Sequence, residues 1–281
     1  MDSSFLHELV PCQENKLARR KLLKSLLAVA SGYTAARLLL DPYAVGASSP
    51  LPQDAAVANV DADTIHYSFG ETQIEGYLAK PKGDSKYPAI LVIHDRAGLN
   101  GSVRDVTKRF AAEGFVAMAP DLLSGAGGTG KFKGPEVAAA VNRIPINIGL
   151  DDLKAGFEYL QKNPNVDPQK ISVVGFGWGG WRAFSLASME PDLYRTVVFY
   201  ASTPVNGLED VHAPVLANYA QFDFRNTGNA IPTRNQMKEL GKKFSYFDYP
   251  NTYAGFFSPG PRFDSDAAKL AWSRTLDFLR S

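Results

Sequence analysis

The residues that say most about chemistry form a glycine-rich segment at positions 175–180, with the sequence GFGWGG. The segment follows an apolar run and opens a helical pattern. That is the setting of a nucleophile elbow, in which a central Ser or Cys attacks a carbonyl carbon. Here the central residue is Gly177, which has no side chain and cannot attack. A nucleotide-binding glycine loop is the competing interpretation, and the absence of a Lys-Ser/Thr pair after the glycines argues against it.

Polar residues at the ends of other apolar runs could supply a general base or a second nucleophile. His94 closes one run, Asp223 follows another, and Ser124 and Ser202 stand near two further ends. Each also has an ordinary structural interpretation, as a hydrogen-bonded strand-end histidine, a loop-capping acid or a turn serine. No combination of these residues reproduces a nucleophile on an elbow.

The elements that must position these residues alternate along the chain. Apolar runs predict strands at 64–69, 72–78, 89–94, 115–119, 171–174, 196–200, 215–219 and 244–249. Helices are predicted at 102–113, near 150–160 and at 264–279, the first with a capping box of Ser102 and Asp105. Such alternation is typical of an α/β fold, a mostly parallel sheet with helices on both faces. Ligand sites of these sheets lie at the carboxyl ends of the strands.

Taken in order, these segments resemble the dienelactone hydrolase family, the carboxymethylenebutenolidase-like proteins of the α/β-hydrolase fold. The resemblance covers residues 65–279. It is carried by HDRAGLN at 94–100, APDLL at 119–123, VGFGWGG at 174–180, APVL at 213–216 ahead of Phe222-Asp223, and the stretch 249–272. It implies the α/β-hydrolase fold and, for an intact member, hydrolysis of lactones or carboxylic esters.

Carried over residue by residue, the resemblance implies a catalytic triad that lacks two members. The nucleophile position, which holds Cys or Ser in the family, is Gly177, and the position of the base is Ala254. Only the acid, Asp223, is kept. Asp95 stands where the family has Glu, and Ala97 replaces an arginine usual in that loop. Because nucleophile and base act as one unit, ordinary family chemistry should be essentially absent.

The surroundings of the lost nucleophile are expected to survive. The resemblance implies two oxyanion donors, the backbone N–H groups of Trp178 and Arg96. Further residues expected to line the site are His94, Asp95 and the aromatic residues Phe176, Trp178, Trp181, Tyr253, Phe256 and Phe257. The aromatic rings either form an apolar pocket or plug the former active site. A plug is favoured because Tyr253 and Phe257 flank the lost histidine.

The first 47 residues are predicted to be a targeting or anchor segment. Residues 18–24 read ARRKLLK, and the apolar stretch that follows at 25–36 is too short to span a bilayer. The pattern resembles a twin-arginine export signal and predicts a protein that is periplasmic or on the outer face of a membrane. An uncleaved anchor with membrane contact through residues 16–40 and a cytosolic amphipathic helix are the alternatives. A linker at 48–62 leads to one domain at 63–281.

Composition limits the partners that this chain can have. Hydrophobic residues make up 45% and charged residues 21%, which excludes a disordered chain and a many-span membrane protein. The formal net charge is +1 and no basic stripe is present, so no nucleic acid partner is expected. The lone cysteine, Cys12, excludes an intrachain disulfide and a Cys-based metal site. No metal or organic cofactor is predicted.

The sequence therefore predicts a catalytically impaired relative of the hydrolases, a pseudoenzyme. Together with the targeting segment, this indicates an exported or membrane-tethered accessory or scaffold subunit, with a protein partner in a larger complex such as a membrane complex. Two alternatives stay open. One is an ester or lactone hydrolase whose non-standard site uses Asp223, His94 or a bound water. The other is a small-molecule binding module that uses the aromatic cleft.

Overall fold

A computed structural model of the chain describes residues 59–204 and 207–281, which build an eight-stranded sheet. The strands are β1 (Val60–Phe69), β2 (Thr72–Pro81), β3 (Tyr87–Ile93), β4 (Val116–Pro120), β5 (Val166–Phe176), β6 (Thr196–Phe199), β7 (Val215–Ala220) and β8 (Phe244–Tyr249). Their order is β1-β2-β4-β3-β5-β6-β7-β8. The pairs β1–β2 and β2–β4 are antiparallel and the other pairs are parallel. The predicted mostly parallel sheet is confirmed.

Helices cover both faces of this sheet. They are α1 (Gly101–Ala112), α2 (Pro135–Asn142), α3 (Ile146–Gln161), α4 (Trp178–Ala187), α5 (Phe224–Thr227), α6 (Ala230–Glu239) and α7 (Ser265–Arg280). One core joins α1 and α7 to the sheet through Phe110 and Leu276, and the other joins α3 and α4 through Leu153 and Phe184. The central strands are apolar on both faces because helices bury both sides, as in β4, where every residue is buried.

The order of the strands places one crevice at the centre of the sheet. The chain moves from β3 to β4 on one side and then crosses to β5 on the other side of β3. A ligand site in an open α/β sheet lies outside the carboxyl ends of the strands at such a reversal. Here those ends carry the segment that begins at His94 and the glycine-rich segment that begins at Gly175.

The start of α1 differs from the sequence prediction. Asn100, not Ser102, is the residue that caps the helix, and its side-chain oxygen accepts a hydrogen bond from the Val103 N–H at 3.1 Å. The predicted capping box of Ser102 and Asp105 is therefore wrong. Both residues lie inside the helix, and Asp105 forms an ion pair with Lys108 instead, at 2.9 Å.

Replacement of the cap tests this assignment. Asn100→Ala should lower the free energy of unfolding by about 1 kcal/mol because the Val103 N–H loses its acceptor. Ser102→Ala is the matched control and should change stability by less than about 0.5 kcal/mol. Urea denaturation of the two variants measures the difference. Equal losses of stability in the two variants would contradict this assignment and favour Ser102 as a capping residue.

The predicted boundaries at the amino-terminal end agree only in part with the structure. β1 begins at Val60, so the last residues of the predicted linker at 48–62 belong to the first strand. The predicted signal or anchor at 1–47 lies outside the described residues, and so do residues 48–58 of the linker. Within the described part of the chain, no helix combines the length and the apolar character that a membrane crossing requires.

Candidate functional site

The turn between β5 and α4 has the geometry of a nucleophile elbow. Its central residue, Gly177, has φ 50° and ψ −109°, a conformation that strains any residue with a side chain. The Gly177 N–H donates to the Phe199 carbonyl at 2.9 Å, and the Gly177 carbonyl accepts from the N–H groups of Gly180 and Trp181. Glycine relieves the strain that a nucleophile would impose, so the shape of the elbow persists without its reactive group.

Close packing around the elbow explains its other glycines. A Cβ on Gly179 would collide with the His94 carbonyl oxygen, and a Cβ on Gly175 would collide with the Gly179 carbonyl oxygen. The first turn of α4 is therefore pressed directly against the carboxyl end of β3. This contact brings the Trp178 N–H and the loop that holds Asp95 and Arg96 to the same place.

The same glycines bear on the nucleotide-binding alternative. Gly175, Gly177 and Gly180 do satisfy the Gly-x-Gly-x-x-Gly spacing of dinucleotide-binding loops. Such loops also need an acidic residue roughly 20 residues further on, where the next strand ends, to bind a ribose. The next strand, β6, is followed by Tyr200, Ala201 and Ser202, none of which is acidic. The elbow interpretation remains the better one.

His94 is fully buried and both of its ring nitrogens are engaged. Nε2 accepts a hydrogen bond from the Leu122 N–H at 3.2 Å, so the ring proton lies on Nδ1, which donates to the Asp95 carbonyl at 2.7 Å. Burial lowers the pKa of the imidazole, and the Arg182 guanidinium lowers it further. His94 is thus a neutral structural residue that joins β3 to the loop after β4, and it has no nitrogen left to act as a base.

The buried neutral state of His94 predicts a pH effect on stability. Since folding lowers its pKa, the unfolded chain takes up the proton first, near the ordinary value of about 6.5. The contribution of His94 to the free energy of unfolding should be constant above about pH 7.5 and fall below pH 6.5 by up to about 1.4 kcal/mol per pH unit. Asp152, whose pKa burial raises to about 6, contributes in the opposite direction, so the difference between wild type and a His94 variant isolates the histidine. Urea denaturation between pH 8 and pH 5.5 measures this slope. His94→Gln should lack this contribution, and an identical slope in the variant would contradict it.

A three-membered stack supports the elbow from one side. The Trp178 ring lies parallel to the His94 imidazole, with 5.8 Å between centroids and 1° between planes. The Arg182 guanidinium lies over the Trp178 ring at 3.2 Å. Burial lowers the pKa of Arg182 to about 10. Sequence reasoning missed Arg182, although its place one turn after the elbow predicts a residue on the same helix face as Trp178.

Asp223, which the resemblance assigns to the acid position of a triad, is held by a neighbouring amide. The Asn226 Nδ2 donates to the Asp223 Oδ2 at 2.7 Å and to the Tyr200 carbonyl at 3.2 Å. Asp223 comes directly before α5, and its own carbonyl accepts from the N–H groups of Asn226 and Thr227. The carboxylate therefore organises the loop after β7, where an intact triad would have it orient a histidine.

The aromatic residues of the loop that carries Ala254 differ in burial. Phe256 and Phe257 are fully buried, with Phe257 4.7 Å from Phe199 and 5.4 Å from Phe176 between ring centroids. Tyr253 is 51% exposed, so it does not plug the former active site as the sequence suggested. The buried part of the predicted plug consists of Phe176, Phe256 and Phe257.

Tyr253 belongs instead to an exposed aromatic rim, which we define as Phe222, Phe224 and Tyr253. The Phe222 ring lies 5.0 Å from Tyr253 and 6.4 Å from Phe224 between centroids. Phe224 is 78% exposed, which is unusual for a large apolar side chain with aromatic neighbours. Phe222 and Phe224 flank Asp223 in sequence and Tyr253 precedes Ala254, so the rim adjoins the positions that the resemblance assigns to the acid and the base.

Asp95 lies beside Gly177, the central residue of the elbow. A Cβ on Gly177 would stand 3.8 Å from the Asp95 Cβ, an ordinary van der Waals distance. The Asp95 Oδ1 accepts the Ala97 N–H at 2.8 Å, and burial raises the pKa of the carboxyl group above its usual value. In contrast, the hydroxyl of Ser124 is bound to the Asp121 carbonyl at 2.6 Å, so this serine is a loop residue.

Tyr200 is a second site residue that sequence reasoning missed. It is the first residue after β6, and its φ of 38° is rare for a bulky side chain and costs about 1–3 kcal/mol. The side chain is buried, its hydroxyl makes no hydrogen bond of good geometry, and Ser258 is the polar side chain beside it. The only sequence signal was its position at the carboxyl end of a strand.

The two predicted oxyanion donors lie in suitable elements. The Trp178 N–H belongs to the first turn of α4, where N–H groups have no acceptor within the helix. Arg96 lies in the tight loop after β3, which the Gly98 N–H closes by donating to the Asp95 carbonyl at 3.2 Å. Within residues 59–204 and 207–281, no group of three His, Cys, Asp or Glu side chains could hold a metal ion.

A mostly parallel sheet with a positive-φ elbow after β5 defines the α/β-hydrolase class. A solved structure of a dienelactone hydrolase-like protein from Klebsiella pneumoniae shares this fold, with a TM-score of 0.71 and 23% sequence identity. The match covers 79% of this chain and 99% of that chain.

Sequence comparison then narrows the class to one family. The model of the dienelactone hydrolase family matches residues 74–281. A carboxymethylenebutenolidase-like protein from Synechocystis sp. is 31% identical over 230 residues, which cover 74% of this chain and 92% of the relative. A similar relative from Methylorubrum extorquens is 26% identical over 285 residues, covering 95% of this chain and 94% of the relative. The chain belongs to the dienelactone hydrolase family.

Proposed function

We propose that this protein is a member of the family that no longer performs the family's hydrolysis and that serves as an accessory subunit. One observation carries the proposal: the elbow keeps its strained shape while its centre is Gly177 and the position of the base is Ala254. The only described histidine at this edge of the sheet, His94, has both nitrogens bound to backbone groups. Without a nucleophile and a base, covalent acyl transfer has no route.

The accessory role draws on two further features. The basic residues and apolar stretch at 18–36 support export or tethering to the outer face of a membrane. The exposed aromatic rim supports a protein partner, because aromatic side chains are enriched where partners dock and are rarely left exposed in clusters. A scaffold that retains its fold without its chemistry fits both features.

The loss of hydrolysis is tested with 4-nitrophenyl acetate and with a fluorophosphonate probe. We expect the purified full-length protein to turn over the ester no faster than its Asp223→Ala variant, and to form no covalent adduct by mass spectrometry. A rate that matches an intact family member assayed alongside, and that falls at least 10-fold in Asp223→Ala, would overturn the proposal.

The accessory role is tested by native pull-down of the full-length protein from mildly solubilised membranes. We expect one partner in constant stoichiometry, and we expect a variant with Phe222, Phe224 and Tyr253 changed to Ser to lose it. Ile231→Ser is the matched control, since Ile231 is 54% exposed on α6 and lies outside the rim. Recovery of the protein alone, or equal capture by the rim variant, would contradict a partner at this surface.

A further inference from the structure

The two edges of the sheet differ in the side chains that they present. The order of the strands puts β1 at one edge and β8 at the other. On β1 the exposed residues include Asp61 and Asp63, and charges of this kind protect an edge from pairing with another chain. β8 instead carries partly exposed aromatic rings, those of Phe244, Tyr246 and Phe247. A strand edge with such side chains favours pairing with a further strand.

The backbone of β8 has one side free for such pairing. On its inner side, the carbonyls of Lys243 and Tyr249 accept from N–H groups at or next to the two ends of β7, at 2.9 and 3.1 Å. Backbone groups of a strand alternate in direction from one residue to the next, so those of Phe244, Tyr246 and Asp248 point away from β7. Among residues 59–204 and 207–281, no strand lies on that side to pair with them.

We propose that β8 pairs in antiparallel fashion with β8 of a second copy of this chain, about a twofold axis that passes beside Ser245 perpendicular to the sheet. The outward groups of Phe244 then exchange N–H···O bonds with those of Tyr246 of the second copy, and the axis repeats this pair. The two sheets become one continuous sheet. The dimer stands apart from the proposed function, because it needs neither the loss of hydrolysis nor the aromatic rim.

The chemistry of the side chains selects this register. A twofold axis perpendicular to the sheet keeps each side chain on its own face, so the pairing must be centred on a residue. When the centre is Ser245, Lys242 lies opposite Asp248 and Phe244 lies opposite Tyr246, so that opposite charges meet and aromatic rings meet. When the centre is Tyr246, Phe244 lies opposite the Asp248 carboxylate and Lys242 meets no acidic residue.

The side chains that would meet across the axis are ready for this contact. Asp248 is exposed and Lys242 is partly exposed, and neither forms an ion pair within the part of the chain that the structure describes. The Phe244 ring lies 6.3 Å from Phe184 and 6.2 Å from Tyr246 between centroids. These rings are thus held in place before a second copy arrives, which lowers the entropy cost of pairing.

A contact built on one short strand from each copy is small, so the dimer should be reversible. Stable dimers bury about 1,200–2,000 Å² or more, and a six-residue strand edge alone provides less, so we expect a dissociation constant on the order of 10–100 µM. Sedimentation velocity of the purified full-length protein between about 1 and 200 µM should show an average mass that rises from one chain toward two. The mass of one chain at every concentration would overturn the proposal.

Charge exchange tests the pairing directly. Lys242→Glu puts a second acid opposite Asp248 at both symmetry-related positions and should weaken association about three- to tenfold. Lys242→Glu/Asp248→Lys restores opposite charges and should return the dissociation constant to within about twofold of wild type. Lys86→Glu is the matched control, since it changes the net charge equally at an exposed residue ahead of β3, near the centre of the sheet. A dimer that Lys242→Glu leaves intact, or no recovery in the double variant, would overturn the proposal.

A cysteine at the axis tests the register. Ser245 would face its own copy across a non-hydrogen-bonded pair, with about 4.5 Å between Cα atoms, a separation that a disulfide bridges. In a Cys12→Ser background, oxidised glutathione should convert Ser245→Cys into a disulfide-linked dimer. Lys243→Cys, which is equally exposed but would lie opposite Phe247, should yield at least about fivefold less. Comparable yields from the two variants would overturn the proposal. Neither outcome depends on whether the protein hydrolyses esters or binds a partner at the rim.

Discussion

The double variant Gly177→Cys/Ala254→His is expected to hydrolyse 4-nitrophenyl acetate on the order of 100-fold faster than the wild type, the gain that a positioned base typically provides. The elbow already has the right shape, and a Cβ at position 177 meets nothing closer than 3.8 Å. Ala254 is partly exposed next to the half-exposed Tyr253, so an imidazole has room there, with Asp223 on the preceding loop. Stopped-flow release of 4-nitrophenol gives the acylation burst and the steady rate.

Controls distinguish a rebuilt triad from a merely reactive thiol. The single variant Gly177→Cys should acylate slowly and turn over poorly, because no base activates its thiol. Adding Asp223→Ala to the double variant should remove most of the gain. A thiol that reacts with iodoacetamide, in a double variant that shows no burst, would mean that Phe256 and Phe257 keep the imidazole away from the elbow.

Gly179→Ala is expected to destabilise the domain by about 3 kcal/mol or more, or to prevent folding, since its Cβ would collide with the backbone oxygen of His94. The backbone carbonyls of Ile93 and His94, at the end of a central strand, cannot rotate away as a flexible side chain can. Gly177→Ala is the matched control. It introduces a side chain at a φ of 50° but makes no close contact, so it should cost about 1–3 kcal/mol, less than Gly179→Ala.

Urea denaturation followed by circular dichroism compares the two variants directly. The expected order, with Gly179→Ala far worse than Gly177→Ala, would show that close approach governs the stability of the elbow more than backbone dihedrals do. The reverse order would mean that the strain at position 177 is greater than its contacts indicate. It would also lower the expected yield of any variant with a side chain there.

The architecture could be predicted from sequence because the central strands are buried on both faces and read as continuous apolar runs. The predicted bounds of β3 and β8 lie within two residues of the observed ones, and the glycines were enough to predict the elbow. The N-cap of α1 was predicted at the wrong residue because Asn and Ser are both good N-cap residues. Which of Asn100 and Ser102 caps the helix depends on where the backbone turns into the helix, and the sequence does not show this.

The site was harder to predict because its unusual features are conformational. Nothing in the type of Tyr200 signals a positive φ or an unsatisfied hydroxyl, both of which arise from the packing of β6 against its neighbours. Tyr253 and Phe257 are both aromatic and flank the same position, yet one faces solvent and the other the core. The sequence makes His94 a candidate base. Its Nε2, however, accepts a hydrogen bond from the Leu122 N–H, and this contact across 28 residues cannot be read from the sequence.

The stack on the elbow also gives the protein an optical signature. The sequence contains three tryptophans, and two of them, Trp178 and Trp181, lie in the first turn of α4, while Trp272 packs under Arg109 on the other face of the sheet. The indole of Trp178 packs against both the Arg182 guanidinium and the His94 imidazole, next to Gly177 at the centre of the elbow. Two of the three tryptophans of this protein thus lie at the elbow, so its intrinsic fluorescence can report on that region without any added label.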